Sequence, residues 1–315
     1  MPEAIRYIEH AEDVLAEAAQ LAEAGAPFAL VTSVAIKGGT ARELGSLAVV
    51  TPGGEMAGYL SNGCIDRDIQ VNGLAALEEG KARLTHYGAG SPFADLTLPC
   101  GGMLKVLIDP RPDLQAIQAA SRALTNRKEA RMTFTRPDGE GRLTISYRPK
   151  PKVTLAGRGA IFRATAEVAH SSGFLVSCLS PDVSDLEAVA DFSFEPPVAL
   201  KLPSVTPILR LDRWSAFLTL FHDHDWEPHL LAAALKTPCL FVGSLGSRQT
   251  HRTREARLEE MGVPTGDIAR VRGPIGLVPS LRSANLIAVS TVAELGGVFC
   301  RSQDEVGEDR AALTL

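Results

Sequence analysis

The sequence predicts an α/β protein with two domains: a mixed α/β domain over residues 1–148, and a Rossmann-like domain with a doubly wound parallel sheet over residues 149–315. A length of 315 residues favours two domains over one. The stretch "RPKPK" at residues 148–152 has prolines and basic residues between two structured patterns, which is typical of a linker. After it, strands recur about every 20 to 30 residues with helices between them, and this rhythm indicates a parallel sheet.

The first half of the chain predicts both helices and strands. Apolar residues recur at helical spacing over residues 5–24, and Gly25 is a natural stop. Strands follow at "PFALVTSVAI" and "GSLAVVTPGGEMAGYL", where "TPGGE" is a hairpin signal. A helix is predicted over residues 65–79 and ends at Gly80. A strand at "CGGMLKVLIDP", a helix near residues 112–125 and a hairpin near "TRPDGEGRLTISY" complete this half.

The second half alternates strand and helix. "VTLAG" predicts a strand before a helix that begins near Ala160, and further strands are predicted at "FLVSCLS", "AFLTLF" and "CLFVG". Helices are predicted at "HLLAAAL", "RQTHRTREARLEEMG" and "NLIAVSTVAELGGVF". This order predicts the parallel sheet of a Rossmann-type fold.

Composition excludes several classes of protein. A hydrophobic content of 45% and a mean hydropathy of +0.06 fit a globular chain. A net charge of −5 argues against a protein that holds nucleic acid by its phosphates. No run approaches the ~20 apolar residues that a membrane span needs. The acidic N-terminal segment lacks the apolar core of a signal peptide, so we expect a cytoplasmic protein.

The first glycine turn of the second half is a candidate phosphate site. Gly157, Arg158 and Gly159 stand between a strand and a helix, where free N–H groups and the helix dipole face an anion. The dinucleotide fingerprint is incomplete, because Phe162 occupies its third small position. Ser180 stands where an acid would hold the ribose, and Asp182 follows two residues later in a turn. These departures disfavour NAD(P), and Arg158 is instead a candidate contact for the phosphate of another ligand.

A second strand–glycine–helix pattern is "FVGSLGSRQTHR". Its backbone and hydroxyl donors come from Gly243, Ser244, Gly246 and Ser247, and Arg248 adds positive charge at the predicted start of the helix. An anion is the natural occupant of such a turn. The alternative is a tight turn that feeds a surface helix.

The stretch "FHDHDWEP" at residues 221–228 follows a predicted strand. Its His and Asp side chains alternate in direction on extended backbone, so they cannot all converge on one metal ion. Two interpretations remain open: the edge of a cleft at the ends of the strands, or a helix N-cap formed by Asp225.

Five cysteines in odd number and without a CxxC spacing predict reduced thiols. Cys178 and Cys239 lie in apolar runs and are predicted to be buried, and Cys300 is predicted to be structural. Cys64 and Cys100 stand beside glycines instead. Cys64 is a candidate packing residue, nucleophile or ligand for a soft metal, and the predicted helix start after it favours its thiolate form. Together the two thiols could bind a soft metal or carry sulfur, and the alternative is tight turns that happen to contain cysteine.

Several segments together resemble the XdhC/CoxI family, whose members assist the maturation of molybdenum hydroxylases such as xanthine dehydrogenase. They are "KGGTARELGSLAVVTPGGEMAGYLSNGCIDRDI", "CGGMLKVLIDP", "HDHDWEPHLLAAAL", "FVGSLGSRQTHR", "RGPIGL" and "ANLIAVSTVAEL". The matched family positions are Gly63, Cys64, Cys100, Gly101, Gly102, Gly243, Gly246, Ser247 and Arg248. The chain departs from the family at "GRGAIF", at Ser180 and at "LSNGC".

The resemblance implies a family-specific N-terminal domain, a C-terminal Rossmann domain and a maturation factor rather than a turnover enzyme. It implies a chaperone that binds the molybdenum cofactor, a molybdopterin with or without an added nucleotide, and protects it. It further implies sulfuration with a cysteine desulfurase and delivery to an apo molybdenum hydroxylase. We expect Cys64 and Cys100 to face the molybdenum, and Arg158 or the Ser247–Arg248 turn to lie near the phosphate. A homodimer is also expected.

Two other functions stay open from the sequence. One is an NAD(P)-dependent oxidoreductase with a degenerate fingerprint, although no general acid or hydride site stands out. The other is a scaffold that recruits the desulfurase and the apo-enzyme without holding cofactor.

Overall fold

The computed structural model describes residues 5–39, 42–88, 101–137, 139, 141–221 and 225–304. The chain divides into two compact units, unit 1 (Met1–Pro149) and unit 2 (Lys150–Leu315). Each unit has its own six-stranded sheet and its own hydrophobic core.

Unit 1 combines a sheet, three helices and a separate hairpin within the described residues. Its elements are β1 (Ile5–Arg6), α1 (Ala11–Glu23), β2 (Ala29–Lys37), β3 (Leu47–Val50), β4 (Met56–Gly58), α2 (Asp66–Glu79), β5 (Arg83–Gly88), β6 (Met103–Asp109), α3 (Leu114–Thr125), β7 (Ala130–Thr135) and β8 (Arg142–Tyr147).

The sheet of unit 1 has the order β1-β4-β3-β2-β6-β5. β1 runs parallel to β4, and the other neighbouring strands are antiparallel. Lys37 at the end of β2 and Gly88 at the end of β5 both pair with Met103 at the start of β6. Gly58 at the end of β4 pairs with Ala48 in β3. β2, β4 and β5 therefore end, and β3 and β6 begin, at one end of the sheet, which we call the glycine end.

Both faces of this sheet are covered. Alternate strand residues point to opposite faces, so Leu30 and Val31 of β2 belong to different cores. α1, α3 and the β7–β8 hairpin cover the first face, where Leu15 and Ile117 are fully buried. α2 covers the second face through Ile69. This packing fixes the start of α2 at the glycine end.

Unit 2 alternates strands and helices, as the sequence predicts. Its elements are β9 (Lys152–Gly157), α4 (Gly159–Ser171), β10 (Leu175–Ser180), α5 (Val183–Ala188), β11 (Val198–Ala199), β12 (Ser215–Leu220), α6 (Glu227–Leu235), β13 (Phe241–Ser244), α7 (Arg248–Glu260), α8 (Thr265–Ile268), β14 (Val271–Arg272) and α9 (Ala284–Asp304).

The sheet of unit 2 is parallel throughout and has the order β11-β10-β9-β12-β13-β14. Its first strand lies between its second and its fourth, which is the strand order of the dinucleotide-binding fold. α4 and α9 pack on one face, and α6 and α7 on the other. The predicted α/β class with a doubly wound parallel sheet is confirmed. Ligands of such sheets bind where the strand order reverses, at the carboxyl ends of β9 and β12.

One helix among the described residues, Ala284–Arg301 within α9, is long and apolar enough to pass for a membrane span by length and composition. Its Val292, Leu295 and Phe299 are buried in the core that α9 shares with α4. α9 therefore packs as a core helix of unit 2.

Two helix boundaries differ from the sequence prediction, and several short elements were not predicted. The first helix begins at Ala11 rather than near residue 5, because His10 caps it: the imidazole Nδ1 accepts a hydrogen bond from the N–H of Glu12 at 3.2 Å. α2 begins at Asp66, one residue later than predicted. β5, α5 and the other short elements have no periodicity long enough to be recognised, so the sequence missed them.

Candidate functional site

Cys64 lies at the glycine end of unit 1, in the loop between β4 and α2. This loop, residues 59–65, exposes both Asn62 and Cys64. Gly63 has a φ of +91°, a left-handed conformation that glycine adopts without strain. The Cys64 thiol is exposed rather than packed in the core, and its predicted roles as a nucleophile or a metal ligand stay predictions.

The carboxylate of Asp66 organises the Cys64 loop. It is fully buried, and its Oδ1 accepts hydrogen bonds from the backbone N–H groups of Leu60 and Ser61, both at 2.9 Å. Its Oδ2 accepts from the N–H of Gly63 at 2.9 Å and from the Ser61 hydroxyl at 2.8 Å. Asp66 also stands in the first turn of α2, where the helix dipole favours negative charge. The protein's own anion therefore occupies these amides, and the loop presents a thiol rather than an anion site.

The first turn of α2 also contacts β5. Asp68 Oδ2 accepts a hydrogen bond from the buried Tyr87 hydroxyl at 2.7 Å. Burial raises the pKa of Tyr87 above its ordinary value, so the phenol stays protonated and donates. Tyr87 pairs with Leu104 of β6, two residues after Gly102. This hydrogen bond holds the start of α2 beside the β5–β6 corner of the sheet.

Gly101 and Gly102 form the turn that leads into β6. Gly101 has a φ of +68°. A Cβ on Gly102 would lie 2.3 Å from the carbonyl oxygen of Gly39, so the turn before β6 packs directly on the turn after β2. Close backbone packing is thus the structural reason for Gly102. Cys100 lies outside the described residues, and its role stays a prediction.

An aromatic pair borders the Cys64 loop. The Tyr7 hydroxyl lies 3.8 Å from where a Cβ on Gly63 would stand. The Tyr7 ring meets the Tyr59 ring edge to face at 5.3 Å between centroids, and the Arg42 guanidinium lies 4.5 Å from the centroid of Tyr59. Tyr7 is 57% exposed, so an accessible aromatic surface stands beside the accessible thiol.

Within the described ranges, no group of three or more His, Cys, Asp or Glu residues is placed to hold a metal ion. Three residues of "FHDHDWEP", at positions 222–224, lie outside those ranges. The prediction that Asp225 caps the following helix is wrong: Trp226 is the N-cap of α6, and Glu227 and Pro228 begin the helix. Binding of a metal by Cys64 and Cys100 stays a prediction.

The turn between β9 and α4 lies at the reversal of strand order in unit 2. A Cβ on Gly157 would stand 2.7 Å from the Cβ of Leu220, so the close approach of β9 and β12 requires this glycine. Arg158 is exposed and is the N-cap residue of α4. Gly159 has a φ of +79° and opens α4.

A carboxylate of the protein binds the first N–H group of α4. The N–H of Gly159 donates to Asp185 Oδ2 at 2.7 Å, and Arg163 Nε donates to Asp185 Oδ1 at 2.5 Å. Arg163 Nη2 also donates to the Ser184 hydroxyl at 3.1 Å. The Asp185 side chain is buried, whereas that of Arg163 is 44% exposed. No pattern in the sequence points to Asp185, because this residue comes from α5, 26 residues after Gly159.

The other positions of the dinucleotide fingerprint depart from the usual pattern, as the sequence predicts. Phe162 is fully buried in the core. Ser180 ends β10, and its hydroxyl accepts a hydrogen bond from the N–H of Asp182 at 3.2 Å. Asp182 caps α5 by accepting from the N–H of Ser184 at 2.9 Å. Ser180 and Asp182 thus both help to start α5.

The turn between β13 and α7 combines one packing glycine with the exposed residues Gly246, Ser247 and Arg248. Gly243 is a packing glycine, since a Cβ there would lie 2.6 Å from a methyl carbon of Ile275. Gly246 is exposed, with a φ of +139°. Ser247 caps α7 by accepting from the N–H of Thr250 at 3.1 Å. The exposed Arg248 begins α7, so this turn faces solvent with positive charge.

A buried network missed by the sequence analysis supports this turn. The Glu227 carboxylate accepts hydrogen bonds from the Thr219 hydroxyl at 3.1 Å and from the Ser244 hydroxyl at 2.8 Å. Arg254 Nη2 donates to Glu227 Oε2 at 3.1 Å and to the carbonyl of Leu245 at 2.7 Å. Arg254 thereby ties the turn to the ends of β12 and β13. Glu227 and Arg254 lie 27 residues apart, and nothing in the sequence indicates that these opposite charges are buried together.

The other three cysteines, Cys178, Cys239 and Cys300, differ in how far they are buried. Cys178 and Cys239 are buried, as predicted, and burial raises their pKa values to about 11 and about 12. Cys300 is exposed on α9, so the prediction of a structural role there is wrong. The helix continues past the apolar segment, and Cys300 falls on its outer side.

The fold and the glycine turns define a two-unit α/β protein with a Rossmann-type second unit. The pattern of the XdhC Rossmann domain matches residues 153–295, and that of the XdhC and CoxI family matches residues 21–88. The chain belongs to the XdhC/CoxI family, and the resemblance seen in the sequence is confirmed.

Several known proteins are similar to this chain. The molybdenum cofactor insertion chaperone PaoD of Escherichia coli (strain K12) is 26% identical, over 96% of this chain and 93% of its own. The uncharacterized protein YqeB of the same strain is 24% identical, over 90% of this chain and 46% of its own. A crystal structure of a xanthine dehydrogenase from Bacillus halodurans shares the fold, with a TM-score of 0.72 and 19% identity, and the match covers 91% of this chain and 96% of that one.

Proposed function

We propose that this chain is a molybdenum cofactor chaperone whose Cys64 loop takes the molybdenum end of the cofactor. The observation that carries the proposal is the exposed thiol of Cys64 on a loop that the buried Asp66 holds in shape. The similarity to a cofactor insertion chaperone over nearly the whole chain supports it.

The residues of unit 1 fit the chemistry of this cargo. The cofactor is a pterin that carries a dithiolene, a metal and a phosphate, and thiolates are preferred ligands of soft metal centres. The exposed Tyr7 ring beside Gly63 offers a face on which a planar pterin ring stacks. We propose that Cys100, with Gly101 and Gly102, completes this side of the site.

In unit 2, we propose that the turn of Gly243, Gly246, Ser247 and Arg248 is a site for a phosphate group. Ser247 and Arg248 are exposed there at the start of a 13-residue helix, whose dipole favours an anion. Gly157, Arg158 and Gly159 are the weaker candidates, because Asp185 already binds the N–H of Gly159.

The later steps rest on the family alone. We propose that the chain supports sulfuration of the bound cofactor by a cysteine desulfurase and then passes it to an apo molybdenum hydroxylase, acting as a homodimer. Anaerobic incubation of cofactor-loaded protein with an apo hydroxylase tests delivery. Hydroxylase activity should appear in the complete mixture and should be lower in a control without the loaded chaperone. Omission of the desulfurase should lower the cyanide-releasable sulfur on the cofactor.

Cofactor content tests the central proposal. Wild type, Cys64→Ala and Cys300→Ala are purified under argon from a cofactor-producing host, and molybdenum and pterin are measured per chain. Cys300 is the matched control, because it is also an exposed thiol, on α9 of unit 2. We expect Cys64→Ala to lose at least about 90% of both, a tenfold or greater change, and Cys300→Ala to match wild type.

Two results would contradict it. Wild-type content in Cys64→Ala removes that thiol from the mechanism. Absence of both molybdenum and pterin from the wild type favours the cofactor-free scaffold instead.

A further inference from the structure

We propose that Asp185 closes the β9–α4 turn to the diphosphate of a dinucleotide, and that this residue sets unit 2 apart from Rossmann units that bind NAD(P). The proposal concerns unit 2 alone and holds whether or not unit 1 carries the molybdenum cofactor.

The argument starts from the place of the turn in the sheet. In this fold, a dinucleotide lays its diphosphate against the N-terminus of the first helix, at the point where the strand order reverses. In unit 2 that point lies between β9 and β12, and the first helix is α4. The free N–H groups of α4 are therefore the groups that a diphosphate needs.

Asp185 already uses this end of the helix. Its Oδ2 accepts the N–H of Gly159, the first residue of α4, at 2.7 Å. A helix N-terminus stabilises negative charge within its first turn, and Asp185 supplies that charge from inside the protein. A diphosphate at the same turn would stand beside a carboxylate, and like charges in contact repel.

The Asp185 carboxylate is fixed in place by three further features. Arg163, one turn into α4, donates to its Oδ1, so the carboxylate is paired on both oxygens. Its side chain is only 3% exposed, so it cannot turn into solvent without breaking both contacts. α5 itself is held by the Asp182 cap.

Because Asp185 pairs with both Gly159 and Arg163, removal of its carboxylate alone should make the β9–α4 turn available to a phosphate. Without the carboxylate, the N–H of Gly159 loses its partner, and the half-exposed guanidinium of Arg163 is left beside it. Both groups then favour an incoming phosphate.

Ligand titration of the purified full chain tests the proposal, with ADP-ribose and NADH as probes at low salt. The variants are Asp185→Ala, Asp185→Asn, Arg163→Gln and the double variant Asp185→Ala with Arg163→Gln. We expect wild type and Arg163→Gln to bind with a Kd above about 1 mM, and Asp185→Ala to bind ADP-ribose at least about tenfold more tightly. The double variant should lose most of that gain.

Two measurements keep the test decisive. Hydrogen exchange of the Gly159 amide should speed up in Asp185→Ala, which shows that the N–H has been released. Asp185→Asn keeps an acceptor for that N–H but removes the charge, so it should fold as wild type does and still bind more tightly than wild type. If Asp185→Ala does not fold, Asp185→Asn decides.

Two outcomes overturn the proposal. In the first, the variants fold, exchange at Gly159 accelerates, and affinity for either probe stays at the wild-type level. In the second, wild type binds NADH tightly and Asp185→Ala weakens that binding, which would make Asp185 a ligand-holding acid. Neither outcome bears on the molybdenum content of Cys64→Ala, so the two proposals fail separately.

Discussion

Two glycine-containing loops of this protein both lead into helices, but they have different roles. In unit 1, the loop before α2 folds around Asp66, a residue of the helix that follows it. In unit 2, the turn before α4 is closed by Asp185, which comes from a different helix and brings Arg163 with it. Each turn thus contains an anion of the protein's own, but only the first presents an exposed thiol, Cys64.

The difference teaches that a glycine turn before a helix does not by itself report a ligand. Where a buried carboxylate satisfies the amides, the turn is a structural element that fixes its neighbours. At the Ser247–Arg248 turn, by contrast, both residues are exposed and the positive charge of Arg248 faces solvent. What occupies the amides decides between these cases.

The largest expected effect concerns the thiols that the two units present. Cys64 lies on an exposed loop, whereas Cys178 and Cys239 lie in buried strands or turns with pKa values raised to about 11 and about 12. Because the thiolate is the reactive form, we expect alkylation of Cys64 at pH 8 to be at least about 100-fold faster than that of either buried thiol. Mass spectrometry of timed iodoacetamide reactions measures this, with guanidinium-unfolded protein as the control. Equal rates in the folded protein would show that the Cys64 loop is not open.

A second prediction concerns the loop before α2 in unit 1, which Asp66 organises. Asp66→Ala leaves the N–H groups of Leu60, Ser61 and Gly63 without their buried acceptor. We expect a loss of about 3 kcal/mol in the free energy of unfolding of unit 1. Asp66→Asn keeps one acceptor oxygen and should lose about half as much. Urea unfolding measures both, and a change below about 0.5 kcal/mol in Asp66→Ala would remove Asp66 as the organiser of the loop.

The corresponding change in unit 2 should cost less stability. Asp185→Ala removes one backbone contact and one pair with Arg163, whose side chain is partly exposed and can be solvated. We expect a loss of about 1–2 kcal/mol in the unfolding of unit 2. Ser184→Ala, which loses the hydroxyl contacts with Arg163 and Asp182 but keeps the Asp185 carboxylate, is the control and should lose about 0.5 kcal/mol. A larger loss in Asp185→Ala than in Asp66→Ala would reverse the comparison.

The smallest expected effect is a dependence on pH. Burial lowers the pKa of His251 below its ordinary 6.5, Arg254 and Arg272 lower it further, and Glu255 opposes them. The unfolded chain therefore binds the proton more readily, so this contribution to stability is present above about pH 6.5 and is lost as pH falls through the folded pKa. We expect wild type to lose about 0.5 kcal/mol more than His251→Gln between about pH 7 and pH 5.5. Parallel unfolding curves for the two proteins would contradict it.

Much of the fold could be predicted from the sequence. Long periodic segments such as α1 and α3, and the strand–helix rhythm after "RPKPK", carry their own signal. The short strands β11 and β14 and the helix α5 do not, since two to six residues show no period. The β5 strand was missed for a related reason, because its residues are mostly half-buried and mixed in polarity.

The candidate site was predictable in part. Gly63 and Cys64 were found from their positions beside a predicted helix start. The residue types at Phe162 and Ser180 already showed that the dinucleotide fingerprint is incomplete. Glu227 and Arg254 were not found, because burial of an ion pair depends on which helices pack together. Asp185 was not found for the same reason.

By itself, the sequence determined the family, the α/β class, the glycines whose backbone conformations the turns require, and the presence of a thiol before α2. These are local properties: period, turn chemistry and residue type act within a few positions of the chain. The tertiary structure decided which turns are closed by a carboxylate and which stay open. That choice depends on contacts such as Asp185 with Gly159, made between residues far apart in sequence, and these contacts form only once the sheet has brought the helices together.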